Sequence, residues 1–304
     1  MRFELNEDQA TFVAVLEQML GTSEFQPVKG WGRYEYGSAL DAQLAQNGFY
    51  DAALENDLGT TAAALMVYKA AQAPECFECA ASALVRPFLR RDLPRPLAVV
   101  MGDAPGAIRY LAQAEGLVMI TQTAVQYADL PKGLTQPIES LYAYPMALVD
   151  RDDLDWQNLG ADVGEISVLW QIAIAAELTG VLKAGLNTVL EHVRERRQFG
   201  QPLGAFQGVQ HRLSTASVEI EGAKLQMLRA AQSRTRADAA LALGYVQGIA
   251  TRITYDLHQF MGAMGLTLEH PLHRWSYRAK LLRAELGGSG RSYLAYADQR
   301  WGPE

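Results

Sequence analysis

Cysteine is almost absent: 304 residues hold two thiols, Cys76 and Cys79, in one C-x-x-C within Pro74-Glu75-Cys76-Phe77-Glu78-Cys79. That count excludes a disulfide-stapled mini-fold, and a four-ligand zinc site lacks its second pair. A redox pair stays open, because Pro74 can start a helix whose N-terminus lowers a thiol pKa; two ordinary helix cysteines in a reducing compartment is the favoured reading. Long apolar runs are also missing. The best stretch, Val168 to Leu182, is broken by Gln171 and Glu177, short of the roughly 20 residues a membrane helix needs. The acidic opening, residues 1–8, has no apolar core of a secretory signal, so the cytoplasm is the expected location. Positive charge is scarce: 27 Lys and Arg stand against 34 Asp and Glu, a net charge of −7, which argues against nucleic acid as a partner. No Walker loop, G-x-G-x-x-G element or G-x-S-x-G elbow occurs. Of the five histidines, only His270 and His273 show close spacing, and Pro271 between them favours packing over metal ligation, so no metal site is expected.

What is present describes a folded chain. Hydrophobic residues make up 49% and charged residues 20%, and the length predicts two or three folding units. Residues 1–150 carry 10 basic against 18 acidic residues, whereas 151–304 carry 17 against 16, so a phosphate-bearing ligand would be held mainly by the second half. Asn6 ahead of Glu7, Asp8, Phe12, Val13 and Leu16 reads as a capped amphipathic helix. Further helices are expected over 38–46, 60–73 and 75–89. Short apolar runs at 97–101, 117–121 and 141–149 read as strands, separated by turns such as Gly102-Asp103-Ala104-Pro105-Gly106. From Gly164 onward three long helices follow the 3.6 period, ending near Gln198 and running through Val209–Ala223 and Leu243–Met261, which suits an antiparallel four-helix bundle. The expected fold is mainly α with a small β segment: an N-terminal helical domain (1–95), a reduced β-domain (96–155) and a C-terminal helical bundle (156–304).

Two stretches are more specific than periodicity. One is Arg196-Arg197-Gln198-Phe199-Gly200, followed by Phe206-Gln207. The other is Gln259-Phe260-Met261-Gly262-Ala263-Met264-Gly265-Leu266-Thr267-Leu268-Glu269-His270-Pro271. Together they resemble the R-x-x-F-G…F-Q loop and the Q-x-x-G-G-x-G-[FL]-T-x-E-x-P run of the flavin-dependent acyl-CoA dehydrogenases, strongly over 160–290 and weakly elsewhere. The resemblance implies that family's helix–strand–helix fold and an FAD cofactor. It puts Arg196 against the FAD pyrophosphate, where a planar guanidinium suits bidentate phosphate oxygens. Phe199 would supply an aromatic contact and Gln207 and Gln259 amide contacts to the nucleotide half, while Gly262 and Gly265 would let backbone approach it. In the family these residues reach FAD bound mainly by a neighbouring subunit, which implies an oligomer.

The chain departs from the family at the chemistry. The family's catalytic Glu abstracts the thioester α-proton while a hydride leaves for the flavin. It stands at one of two positions, occupied here by Leu286 and Trp170, and neither side chain accepts a proton. Glu285 and Glu177 are the nearest substitutes. The Trp-containing and T-E-x-x-x-G-S-D strands that cradle the flavin ring are missing, since residues 97–150 contain no Trp. These losses fall together and resemble a branch of bacterial steroid-degrading acyl-CoA dehydrogenases built as α2β2 heteromers of unlike subunits. The expectation is therefore a subunit without its own base, sharing FAD with a partner that carries the Glu. The assembled enzyme would introduce an α,β double bond into a bulky acyl-CoA, such as a steroid side-chain thioester, and pass electrons to an electron-transfer acceptor. The alternatives are a cofactor-free scaffold and a self-sufficient homomer using Glu177 or Glu285.

Overall fold

The structure, a computed structural model, describes residues 4–21, 34–89, 93–102, 104 and 106–302; Asp103 and Pro105 of the expected turn lie outside the described residues. Four helices come first: α1 (Glu7–Leu20), α2 (Ser38–Gln46), α3 (Gly59–Ala70) and α4 (Ala80–Leu84). Asn6 caps α1 as its sequence position suggests, accepting from the Gln9 amide at 2.7 Å while the Gln9 side chain receives the Asn6 N–H, a reciprocal box that satisfies two orphan donors.

The continuous helix expected over 75–89 does not form. Only Ala80–Leu84 is α-helical, followed by a short turn of 3-10 helix at Arg86–Phe88. The backbone ahead of α4 is committed elsewhere. Ala73 and Pro74 carbonyls accept from Arg278, Pro74 also from Arg274, and Cys76 O receives the Gly37 N–H. Glu78 then starts the helix late, its carboxylate accepting from the Ala81 and Ser82 amides.

Seven short strands follow: β1 (Leu97–Met101), β2 (Ile108–Arg109), β3 (Gly116–Ile120), β4 (Val125–Asp129), β5 (Gln136–Ile138), β6 (Met146–Leu148) and β7 (Gln157–Asn158). They make a four-stranded sheet in the order β1-β3-β4-β7 and a three-stranded sheet in the order β2-β6-β5. β1 and β3 run parallel with Val99 opposite Val118, and β3 pairs antiparallel with β4. The strand expected over 141–149 is confined to Met146–Leu148. Ahead of it Ala143 takes a left-handed φ of 56°, and its carbonyl accepts from Arg278, which removes that stretch from any ladder.

The C-terminal helices are α5 (Val163–Glu195), α6 (Gln207–Ser233), α7 (Arg236–Met261), α8 (Leu272–Leu282) and α9 (Gly288–Trp301), with a two-stranded hairpin, β8 (Arg197–Gln198) and β9 (Gln201–Pro202), between α5 and α6. The chain is mainly helical with little sheet, as expected. α5, α6 and α7 are the long members of the bundle; α8 packs on α5 and α9 on α7. α5 is buried nearly all round from Ile166 to Leu186, the mark of a helix at the centre of a core. It is also the one helix among the described residues long and apolar enough to cross a membrane, yet 83% of its most apolar window is buried inside the protein. α3 reaches it closely because both are lined with small residues. Ala63, Ala64, Ala71, Ala173 and Ala176 belong to one core cluster, and a Cβ at Gly180 would fall 2.9 Å from Ala71 Cβ.

Candidate functional site

Arg196 is the C-cap of α5: its N–H bonds His192 O and its carbonyl accepts from Leu203. That pair of bonds turns the chain into the β8–β9 hairpin and leaves the Arg196 side chain exposed. Burial first, and then the Arg196 charge, push the neighbouring His192 pKa down. At the hairpin tip Phe199 is 87% exposed and held at a φ of 54°, a left-handed conformation uncommon for a bulky residue. Its ring meets Phe206 edge-on at 6.2 Å. Gln207 opens α6, with its amide 3.4 Å from His211 Nε2.

Gln259 is exposed in the last turn of α7, and Gly262 ends that helix with φ 63° and ψ −145°, open only to glycine. Arg212 of α6 pairs with Asp256 of α7 and lies 4.8 Å over the Phe260 ring. The beginning of α6 therefore lies beside the end of α7. Arg196, Phe199, Gln207, Gln259 and Gly262 are thus gathered at one end of the bundle, on its surface. Gly265 behaves differently from the expectation of close cofactor approach. It is buried, and a Cβ there would lie 2.9 Å from the Met261 side chain and 3.2 Å from Leu272, so its small size serves packing within the chain.

The two positions expected for a base lie together as well. Trp170 is buried on α5, and Leu286 occupies the turn before α9 with φ 58° and ψ 19°. Both line one cavity of about 470 Å3 between β1, α5 and the turn before α9.

What the two substitute acids do is legible only in the structure. Glu177 and Glu285 converge on a single buried guanidinium, Arg109 of β2. Its Nη1 lies 2.5 Å from Glu177 Oε2 and its Nε 3.1 Å from Glu285 Oε1. Tyr144 donates to the remaining Glu177 oxygen at 2.8 Å. Arg109 is 7% exposed and Glu177 7%. Burial works against the charge on Arg109, but the two carboxylates outweigh it and raise its pKa; burial likewise pushes Glu285 up, with Arg109 pulling it back. Glu177 has both oxygens engaged, and Glu285 is held at the cavity wall by a cation. The signal that was missed is Arg109 itself, an arginine inside an apolar strand segment.

Cys76 and Cys79 are free and buried, Cys76 in a β-bridge with Tyr36 and Cys79 as the N-cap of α4, so neither lies within a helix as expected. Burial raises both thiol pKa values. Thiol titration with a bulky disulfide reagent should find neither accessible in the native protein and both after denaturation. Rapid native reaction of either would contradict this burial. Among the described residues no cluster of three or more His, Cys, Asp or Glu is arranged to hold a metal.

Residues 171–293 match the family described as acyl-CoA dehydrogenase, C-terminal domain. Acyl-CoA dehydrogenase FadE34 of Mycobacterium tuberculosis is 28% identical over 200 residues, covering 63% of this chain and 27% of that protein. The matched stretches span 27–39% of the length of such curated relatives. Among solved structures, the ChsE4–ChsE5 complex from Mycobacterium tuberculosis aligns with a TM-score of 0.78 at 17% identity over 100% of both chains. A variant of the steroid ACAD Tcur3481–Tcur3483 aligns with a TM-score of 0.75 at 18% identity over 96% of this chain and 97% of that one. Residues 171–293 thus match the acyl-CoA dehydrogenase C-terminal domain, and the whole chain shares the fold of solved acyl-CoA dehydrogenases.

Proposed function

We propose that this chain is the subunit without a catalytic base in a heteromeric, FAD-dependent acyl-CoA dehydrogenase, acting with an unlike subunit that supplies the Glu. What supports this reading is the gathering of the residues expected to face the nucleotide at one exposed bundle end, together with expected base positions whose side chains accept no proton. Arg196, Phe199, Gln207 and Gln259 are collected and exposed at one bundle end. Meanwhile Trp170 and Leu286 fill the base positions, and the nearest carboxylates are tied to Arg109. The similarity to structures of a ChsE4–ChsE5 complex and of a steroid ACAD supports an unlike partner and a bulky, steroid-type acyl-CoA.

The residues present fit the nucleotide half of FAD. An aromatic ring held out on a left-handed hairpin tip and a guanidinium without a carboxylate partner among the described residues form a surface that a phosphate-bearing, stacking ligand completes. Arg196 would hold the pyrophosphate, Phe199 pack on the nucleotide, and Gln207 and Gln259 hydrogen-bond it. FAD, when bound, supplies the hydride acceptor. Proton abstraction falls to the partner, because this chain offers no free carboxylate at the base positions. The self-sufficient homomer is disfavoured for the same reason.

The test is Arg196→Ala in the assembled complex. Loss of a charge-assisted phosphate contact should weaken FAD retention by about 1.5–3 kcal/mol, roughly ten- to a hundred-fold. Flavin fluorescence released on dilution measures it, and unchanged retention would remove Arg196 from the site.

A further inference from the structure

All five histidines of the chain stand at one end of the bundle. His192 is in the last turn of α5, His211 near the start of α6 and His258 in the last turn of α7, while His270 and His273 lead into α8. This is the end at which Arg196, Gln207 and Gln259 gather. It therefore collects every copy of the side chain whose charge changes nearest neutral pH.

His192 is the histidine tied to Arg196. The Arg196 N–H bonds the His192 carbonyl at 2.8 Å, so the two side chains start one turn apart on the same helix face. His192 is half-buried, which leaves its ring open to solvent protons. Burial and then the Arg196 charge press its pKa below the ordinary value, against a smaller opposing pull from Glu195. His270 is pushed down by burial and then by His192. Its own geometry fixes it in the neutral form, because its Nδ1 accepts the Leu272 N–H at 3.3 Å and a proton there would meet that donor. His273 is wholly buried, with its Nδ1 on the His270 carbonyl at 2.7 Å. His258 has Lys280 as its charged neighbour. His192 is thus the imidazole placed to answer a charge arriving at Arg196.

Resting on the reading of Arg196 as a phosphate ligand, we propose that His192 is the proton-linked member of the same site. A phosphate-bearing ligand seated on Arg196 binds together with one solvent proton, which His192 takes up and gives back when the ligand leaves. Without ligand, a proton on His192 sits beside the Arg196 cation and is disfavoured. A pyrophosphate reverses the sign of that environment, and the C-terminal end of a 33-residue helix favours the imidazolium as well. His192 then holds its proton more tightly in the complex than in the free chain. Its contribution to affinity is complete below its ligand-free pKa and is lost as pH rises through the bound value.

The test uses the full chain with 13C-labelled histidine and ADP-ribose, a pyrophosphate diester whose charge is constant between about pH 5.5 and pH 8. Five imidazole signals can be followed one by one, and His192→Gln identifies the one that matters. Without ligand, Arg196→Ala should move the His192 titration midpoint up, since the nearby cation is gone. Saturating ADP-ribose should move it up in the unsubstituted chain, with affinity about 3- to 10-fold higher at pH 5.5 than at pH 8. His192→Gln should bind as tightly as the parent at pH 8 and lose the gain at pH 5.5, a pattern that a merely structural role does not produce. Suppose ADP-ribose binds and weakens in Arg196→Ala, yet the His192 midpoint stays in place or the pH dependence survives His192→Gln. The proposal is then overturned while the reading of Arg196 stands. ADP-ribose that fails to bind, or that binds regardless of Arg196→Ala, overturns that reading and the proposal with it.

Discussion

Arg109→Ala should lower the unfolding free energy by about 3–5 kcal/mol at neutral pH, the usual consequence of leaving buried carboxylates without their cation. Glu177 loses its 2.5 Å partner and Glu285 its 3.1 Å one, with only Tyr144 left to donate to Glu177. The loss has a pH signature. Burial pushes Glu285 up, Arg109 pulls it back, and Glu177 adds to the rise. A carboxyl whose folded pKa lies above its unfolded one holds its proton more tightly in the folded chain. Its favourable contribution is complete below the ordinary carboxylate value of about 4.3 and is lost as pH rises through the folded value. Removing Arg109 removes the pull downward, so the deficit of the variant should grow from pH 4 to pH 7. Urea unfolding at both pH values checks this, and equal deficits would contradict it. Combining Arg109→Met with Glu177→Gln and Glu285→Gln should recover most of the loss, because no charge is then stranded.

Gly180→Ala should cost on the order of 3 kcal/mol, the upper end for overpacking a core. A Cβ at this position would fall 2.1 Å from the Tyr68 carbonyl oxygen and 2.9 Å from Ala71 Cβ. The first of these atoms is backbone, so no rotamer change relieves the contact; α3 and α5 must separate. In an exposed helix the same change is favourable, since alanine has the higher helix propensity. Thermal unfolding therefore gives an outcome of opposite sign if the helices do not meet here. A rise in Tm would show that α3 does not cross α5 at Gly180.

These two residues also mark what the sequence could and could not disclose. The Asn6 cap, the apolar runs of β1 and β3 and the long periods of α5, α6 and α7 are local patterns, and local patterns are legible in one chain. The break ahead of α4 was not, because the atoms that stop the helix, Arg274 and Arg278, arrive from α8 some 200 residues later. Arg109 was hidden for the same reason: its strand has two residues, and its partners lie on α5 and before α9. Glycines are the intermediate case. Gly262 is readable as a helix end, whereas Gly164 and Gly180 are explained only by side chains and backbone that meet them in space. The residues proposed to face the nucleotide are spaced within two short segments, and the fold brings both segments to one bundle end.

The central claim is that this chain contributes contacts to a flavin whose chemistry is completed by a different subunit. The most direct measurement purifies the chain alone and together with an acyl-CoA dehydrogenase homologue bearing the missing Glu, then records the flavin absorbance and the thioester-dependent reduction of a dye acceptor. The account predicts a colourless, inactive chain alone and a yellow, active complex. A chain that by itself retains stoichiometric FAD and oxidises an acyl-CoA would contradict it.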